Sequence, residues 1–383
     1  MPETTRRRFL GRAGGLALAY ALAGCGIEGT AERARRAATP VPEVVHPKEP
    51  IGNWTFSNWP LYIDKAVLKE FDKRYGGHVK YVEDINDNDE FFGKVRQQLQ
   101  NGEPIGRDIV TLTDYMAVKW VRNRYVEPLD KKNMPNVVNN LVDNLKSVPY
   151  DKNRDFTVPW QSGGVGLGYN PKKTGRELHS VNDLFDPAFK GRVTMLSEPY
   201  DSAGTTLLGM GIDPTTASID QILSAIEKIQ QAADAGQFRR FTGNDYTTDL
   251  TRGNIWVALA YSGDLVQLQS DNPDLQFVFP DEGAMAFTDN MMIPANAEHI
   301  YAAETMMNFV YEPEIAAKIA IYVNYLSPVK GIREIVEKED PEIANNPLIF
   351  PPDEITSKLH PYPALSENDE RQMKQAMAEV TGA

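Results

Sequence analysis

The chain has 383 residues, of which 24% are charged, and its formal net charge at pH 7 is −13. Such an acidic balance argues against nucleic acid or an anionic membrane surface as partner, because both require patches of Lys and Arg, whereas it permits a cationic ligand. The length is too great for one ordinary core, so we expect two domains.

The N-terminus reads as an export signal. Four arginines precede a short apolar run that ends in small residues, which is the order of a secretory signal. Residues 5–10 are similar to the twin-arginine signal, with Gly11 in place of its final Lys. Residues 22–25 are similar to a lipobox, whose cysteine receives a lipid. We therefore expect residues 1–24 to be a twin-arginine signal peptide of the lipoprotein type and Cys25 to be lipidated.

The segment after the signal predicts a flexible tether. Residues 25–50 are rich in Ala, Arg, Pro and Glu and have no apolar period. Removal of residues 1–24 takes away four Arg and one Glu, so the formal charge becomes −16. Cys25 is the only cysteine, which excludes an intramolecular disulfide. No later window is long and apolar enough to span a membrane, so we expect a soluble body that only the lipid anchors.

Strand and helix signals alternate along the body. Strands are predicted at residues 53–56, 78–82, 108–112, 192–196, 256–261 and 275–279, and helices at 66–71, 89–99, 115–120, 202–210, 219–233, 302–310 and 313–323. This alternation is typical of a parallel sheet covered by helices. Residues 157–170 contain glycines, but their spacing is not that of a dinucleotide site and no helix follows. We interpret them as a crossover strand between two domains.

Signatures of catalysis and of metal binding are largely absent. The five histidines are scattered, without an i,i+4 pair on a helix. The polar pattern of residues 84–88 lacks the Gly and Glu that a calcium loop needs further on. No nucleophile elbow, phosphate loop or SxxK motif occurs. The sequence therefore predicts no catalytic residue, no metal site and no cofactor.

Aromatic residues stand where predicted strands end. Trp59 and Tyr62 lie one turn apart after the first strand, and Thr113 and Tyr115 follow another. Ligands of open parallel sheets bind at the carboxyl ends of strands, and aromatic faces attract cations by about 0.5 to 2 kcal/mol each. Ordinary packing is the alternative explanation for these rings.

Carboxylates accompany the aromatic residues. Glu198 and Asp201 follow a third strand on one face of a helical first turn, and Asp289 precedes the strand-like residues 291–293. The first two acids could instead stabilise a helix N-terminus through its dipole. A buried ammonium must be paired, so aromatic walls together with several carboxylates predict a ligand that bears amines.

At these residues the chain resembles the periplasmic spermidine/putrescine-binding proteins of ABC transporters, from about residue 53 to 362. Five segments carry the resemblance in order and spacing: NWPLYI (58–63), DIVTLTDY (108–115), FKGRVTMLSEPYD (189–201), YSGD (261–264) and DNMMIPANA (289–297). The resemblance implies an α/β, two-lobed periplasmic-binding-protein fold of type II, in which each lobe is a mixed sheet flanked by helices and crossover strands join the lobes. Lobe 1 would comprise residues 51–162 plus 290–326, and lobe 2 residues 163–289 plus 327–375.

The resemblance also implies a set of ligand-binding residues. The family's aromatic walls fall on Trp59, Tyr62, Tyr115, Tyr261, Phe287 and Tyr325, its hydroxyl contact on Thr113, and its ammonium-binding carboxylates on Glu198, Asp201 and Asp289. Two departures stand out. Tyr261 and Phe287 stand where the family has tryptophans. Glu198 stands where the best-known spermidine binder has Asp, and Asp201 stands where it has Glu. A further polar contact near Tyr362 has no clear alignment.

The function implied is capture of a polyamine, spermidine or putrescine, in a cleft that closes by a hinge. The chain would be a monomer, bound through its lipid in the periplasm or at the outer face of the cell membrane, and would feed an ABC permease. It would be neither an enzyme nor a nucleic-acid binder. One alternative keeps the two-lobed binder with another ligand, such as another cationic metabolite, an opine-like compound, a sugar or ferric ion, although the chain lacks the adjacent tyrosines frequent in ferric sites. A second alternative is an extracytoplasmic hydrolase that uses Glu198 and Asp201 as acid and base.

Overall fold

The computed structural model describes residues 43–363 and 365–382. The expected signal peptide, the lipidation site Cys25 and the tether as far as residue 42 lie outside the described residues. Among the helices in the described ranges, none has the length and hydropathy that crossing a bilayer requires.

The first part of the chain forms three parallel strands covered by helices. Its elements are β1 (Asn53–Asn58), α1 (Lys65–Tyr75), β2 (His78–Glu83), α2 (Asn88–Asn101), β3 (Ile109–Thr113), α3 (Asp114–Arg122) and α4 (Pro135–Asn140), with 3-10 turns at Lys131–Asn133 and Asp143–Leu145. Strand β1 pairs in parallel with both β2 and β3. Trp54 and Phe56 alternate toward the core from β1. These strands and helices lie within the residues predicted for lobe 1, and we refer to them by that name.

A long strand then leads into a second parallel set. The elements are β4 (Val158–Tyr169), α5 (Pro171–Thr174), β5 (Val193–Leu196), α6 (Pro199–Gly209), α7 (Ile219–Asp234), β6 (Phe238–Thr242), α8 (Tyr246–Thr251), β7 (Val257–Tyr261), α9 (Ser262–Asp271), β8 (Gln276–Val278) and β9 (Ala284–Met292), with 3-10 turns at Val181–Phe185 and Pro187–Phe189. Strand β5 pairs in parallel with β6 and β7. The elements from β5 to α9 lie within the residues predicted for lobe 2, and we refer to them by that name.

The remaining chain is mostly helical. It contains α10 (Ile300–Val310), α11 (Pro313–Val323), α12 (Arg333–Glu339), α13 (Pro341–Ala344), α14 (Asp353–Thr356), β10 (Leu359–Pro361) and α15 (Glu367–Thr381). Helix α11 is anchored at its end by Asn324, whose φ of 62° caps the helix in the left-handed conformation.

Two antiparallel crossover strands join the lobes, as the sequence predicts for residues 157–170. Across the described residues the strand order is β2-β1-β3-β9-β4-β7-β5-β6, with β10 on β9 and β8 on β4. Strand β9 is antiparallel to β3, and β4 is antiparallel to β9 and β7. The two-lobed α/β fold is confirmed. The two strand sets hydrogen-bond in one continuous path because β9 pairs with β3 of the first set and with β4, and β4 pairs with β7 of the second set. The exact lobe boundaries stay a prediction.

Several elements were not predicted from the sequence, among them the helices α8 and α9. Strand β6 carries Arg239 and Arg240 on its exposed positions and reads as a loop. Strand β9 begins at Ala284, well before the predicted residues 291–293, because Asp289 and Asn290 interrupt its apolar run although both are buried. Helix α15 buries only two methionines, and β10 has three residues. Polar residues inside these elements hid the periodicity on which the predictions depend.

The last residues of the expected tether are bound to lobe 1. The backbone N–H of His46 donates to Asp130 at 3.1 Å, and its ring Nδ1 lies 2.7 Å from Oε1 of Glu304. Glu304 is fully buried on α10. Asn133 donates to the carbonyl of His46 at 3.2 Å. The segment is therefore fixed to the body from His46 onward.

Candidate binding site

A narrow cavity with a free volume of about 30 Å³ lies where β1, β3 and β7 end and β9 passes between the lobes. It is lined by Trp59, Pro60, Tyr62, Asn88, Thr113, Tyr115, Asp201, Asn244, Tyr261, Asp264, Phe287, Asp289, Tyr325 and Tyr362. Within the described residues, no Lys, Arg or His lines this cavity. Nine of the ten predicted ligand-binding residues are among its walls, and Glu198 is the exception.

Asp289 is held on strand β9 beside residues of lobe 1. Phe287 and Asp289 are two apart on the strand and so point to the same side, into the cavity. The hydroxyl of Tyr62 donates to Oδ2 of Asp289 at 2.7 Å, and that of Thr113 donates to Oδ1 at 2.8 Å. Burial raises the pKa of Asp289 to about 7, although both hydrogen bonds oppose the shift.

Asp201 lies in the first turn of α6, in lobe 2. Tyr261 donates to its Oδ2 at 2.9 Å, and Tyr362 donates to its Oδ1 at 2.5 Å. Burial raises the pKa of Asp201 to about 6. Tyr362 had no clear alignment with the family. It directly follows β10, and its side chain reaches the cavity from there.

A third carboxylate in the cavity, Asp264, was not predicted as a site residue. Tyr246 and Asn244 donate to its Oδ2 at 2.7 and 2.9 Å, and Tyr325 donates to its Oδ1 at 2.7 Å. Burial raises its pKa. Thr113 was predicted because it is a polar residue at the end of a strand. The same criterion could have identified Asp264, which follows the end of strand β7. The YSGD segment, residues 261–264, is part of the family resemblance, but the resemblance implied no role for Asp264.

Glycine allows the close approach on which Asp264 depends. A Cβ atom on Gly263 would lie 2.3 Å from Cε2 of Tyr325. The Tyr325 ring thus packs directly on the backbone of α9, and its hydroxyl reaches the carboxylate one residue further on. A side chain at this position would displace the ring.

Glu198 lies behind the cavity wall. It is 2% exposed, and its Oε1 accepts from the backbone N–H and the side-chain amide of Asn88 at 2.9 and 3.0 Å. Its Oε2 accepts from the hydroxyl of Tyr115. Glu198 is the N-cap residue of α6, but its side chain makes no capping hydrogen bond to that helix. Its side chain instead bonds Asn88 and Tyr115. Its role in ligand binding stays a prediction.

The aromatic rings brace one another around the carboxylates. The rings of Tyr62 and Tyr325 meet edge to face with centroids 5.3 Å apart, and those of Tyr261 and Phe287 do the same at 5.3 Å. Burial raises the pKa of these three tyrosines, so their hydroxyls remain protonated donors. Trp59 adds a further buried ring to the wall.

The chemistry of the cavity is that of a receptor for positive charge. It combines three buried carboxylates with neutral hydroxyl donors and aromatic faces, and a fourth carboxylate lies behind Tyr115. A buried carboxylate without a counter-ion either takes up a proton or is stabilised by binding a cation. Among the described residues, no group of three or more His, Cys, Asp or Glu is placed to hold a metal ion.

Comparison with known proteins identifies the family of this chain. Residues 66–351 match the model of the bacterial extracellular solute-binding proteins. The putrescine-binding periplasmic protein SpuD of Pseudomonas aeruginosa is 28% identical over 341 residues, 84% of this chain and 90% of that protein. The spermidine/putrescine-binding periplasmic protein 1 of Haemophilus influenzae is 26% identical over 303 residues, 79% of this chain and 81% of that protein.

A solved structure shares the fold over almost its whole length. This protein of Listeria monocytogenes, described as a spermidine/putrescine ABC transporter, has a TM-score of 0.77 at 25% identity and covers 86% of this chain and 98% of its own. The family model spans well over half of the chain. The protein therefore belongs to the bacterial extracellular solute-binding proteins.

Proposed function

We propose that this protein captures a polyamine in the cavity between its lobes and delivers it to the permease of an ABC importer. The observation that carries the proposal is the set of buried carboxylates, Asp201, Asp264 and Asp289, in a cavity whose lining contains no cationic side chain. Each accepts hydrogen bonds from hydroxyl groups that an ammonium can replace or join. The names of the relatives, which bind putrescine and spermidine, support the same ligand class.

The distribution of the carboxylates suits a ligand charged at more than one end. Asp289 is bonded to Tyr62 and Thr113, which belong to lobe 1. Asp201 and Asp264 stand on helices of lobe 2. A chain with an ammonium at each end would bind both lobes and stabilise the closed form, whereas a monovalent cation would satisfy only one of them.

The proposal includes the compartment and the chemistry of the protein. Residues 1–24 would direct export through the twin-arginine route, and lipid on Cys25 would hold a monomeric body on the outer side of the membrane. Such tethering raises the effective concentration of the binder near its permease. The protein would act as a binder and not as an enzyme, in keeping with the names of its relatives.

Calorimetric titration of the purified full chain with putrescine, cadaverine and spermidine tests the site. We expect at least one amine to bind and Asp289→Asn to weaken it about 100-fold, because the variant removes one charge of a buried ion pair. Asp213→Asn changes an exposed carboxylate that bonds Thr215 and should leave the affinity unchanged. Equal affinity in wild type and Asp289→Asn would reject the site.

A thermal-shift screen separates the remaining ligand classes. A ligand that binds only the folded form raises its melting temperature by mass action. Stabilisation by sugars, amino acids or ferric ion, with none by the three amines, would favour the same two-lobed binder with another ligand.

A further inference from the structure

The C-terminal helix α15 is attached to lobe 2 and continues from the cavity. Strand β10 pairs with β9, and Tyr362 follows it and reaches Asp201. Helix α15 then buries Met373 and Met377 and packs on α7 and α6. The segment from β10 to α15 therefore runs from the ligand-binding cavity to the outside of lobe 2.

From this position α15 also reaches lobe 1. The ammonium of Lys374 lies 2.9 Å from Oδ1 of Asp89, in the first turn of α2, and 5.0 Å from the centre of the Tyr115 ring. Glu370 of the same helix lies 3.1 Å from that ammonium. Near the start of the helix, Glu367 pairs with Arg122 of α3 at 3.4 Å. Two ion pairs thus connect a helix packed on lobe 2 with two helices of lobe 1.

The contact of Lys374 is more sheltered than a surface ion pair. Its side chain is 18% exposed. Burial lowers its pKa, but Asp89 and Glu370 more than compensate and raise it. Lys119, 4.0 Å from Asp89, faces the same cluster. The charge of Lys374 is therefore retained and directed at lobe 1.

The N-terminus of α2 is a point where the lobes meet. Asp87 accepts from the hydroxyl of Ser197 in lobe 2 at 2.7 Å, and Asn88 donates to Glu198. Asp89, the next residue, receives Lys374. Movement of lobe 1 away from lobe 2 would part all three contacts together, so the Lys374 contact belongs to the closed form.

We propose that α15 is a clasp that holds the two lobes closed around the ligand, and that Lys374 is its positioning residue on lobe 1. This inference rests on the proposed function for its ligand. The clasp forms whenever the lobes have met, with or without ligand, so it stabilises the closed form and lowers the rate at which a bound ligand leaves. It contacts the outer wall of the cavity through Tyr115 and does not require contact with the ligand.

Stopped-flow kinetics with putrescine test the clasp in the full chain. We expect Lys374→Met and Asp89→Asn each to raise the dissociation rate about tenfold, an effect between those of exposed and buried ion pairs, with the association rate nearly unchanged. The double variant should match the single ones, and Lys374→Arg should retain slow dissociation. Lys94→Met is the matched control, because it removes an exposed pair with Glu90 within α2.

Several results would overturn the clasp. One is that both single variants release the ligand at the wild-type rate. Another is that Lys94→Met raises the dissociation rate as much as they do. A third is that the effects of the two substitutions add in the double variant. If Lys374→Met fails to fold, Asp89→Asn decides the question alone. If wild type binds no amine, the proposed function fails and the clasp is judged on unliganded protein by small-angle scattering. The radius of gyration should then rise in Lys374→Met and Asp89→Asn but not in Lys94→Met, and equal radii would reject it.

Discussion

Ligand binding should weaken strongly as the pH falls, because a proton competes with the ammonium for each buried carboxylate. The pKa of Asp289 is raised to about 7 and that of Asp201 to about 6, in both cases chiefly by burial. From about pH 7.5 to about pH 5.5 the ionised fraction falls about 25-fold for Asp289 and about fourfold for Asp201. If the ligand requires both in ionised form, its affinity falls about 100-fold.

The unliganded protein should show the opposite trend. A carboxyl group whose pKa is higher in the folded state than in the unfolded state stabilises the fold at low pH, and this contribution is lost as the pH rises through the folded pKa. For Asp201 and Asp289 the loss occurs between about pH 4 and about pH 7. Without ligand, melting temperature should therefore decline over this range, while the stabilisation by putrescine grows.

Calorimetry at the two pH values, in buffers of different ionisation enthalpy, measures both the affinity and the protons released on binding. Asp289→Asn is the control, because it removes the group with the higher pKa and should flatten the pH dependence. A dissociation constant that is the same at both pH values, with no proton release, would refute the assignment of these carboxylates to the ligand.

Three further predictions concern single side chains. Trp59→Ala should weaken amine binding about tenfold through loss of a cation–π contact, and Trp59→Phe should lose less; equal affinity of all three proteins in a titration would contradict this role. Gly263→Ala should destabilise the protein by about 2 kcal/mol and weaken binding, because its Cβ meets the Tyr325 ring; an unchanged denaturation midpoint would be the contrary result. His46→Ala should cost about 2 kcal/mol of stability through its bond to Glu304 while the ligand dissociation constant stays the same, and denaturant unfolding together with titration checks both.

Local sequence patterns were sufficient where function depends on the end of a strand. Trp59, Thr113 and Asp201 were selected because aromatic, hydroxyl or acidic residues follow an apolar strand, and all three line the cavity. The same reasoning could have included Asp264. It failed for β9, since Asp289 is buried in the middle of a strand and polar residues there erase the alternation that identifies strands.

Glu198 and Tyr362 show what sequence position could not decide. Glu198 belongs to the predicted acidic pair, yet Asn88 and Tyr115 occupy both of its oxygens behind the wall. Tyr362 had no clear alignment, yet it donates to Asp201 across 161 positions of the chain. Each outcome depends on contacts between residues far apart in the chain, which no local pattern contains.

The sequence by itself determined the class of fold and the chemistry of the site: alternating strands and helices, aromatic rings and carboxylates at strand ends. Local propensity and side-chain type are sufficient for these. Only the tertiary structure decided which tyrosine satisfies which carboxylate, and that Lys374 of the last helix reaches Asp89 near the first strands. Those contacts form between residues far apart in the chain, and the order of strands across β4 and β9 brings them together.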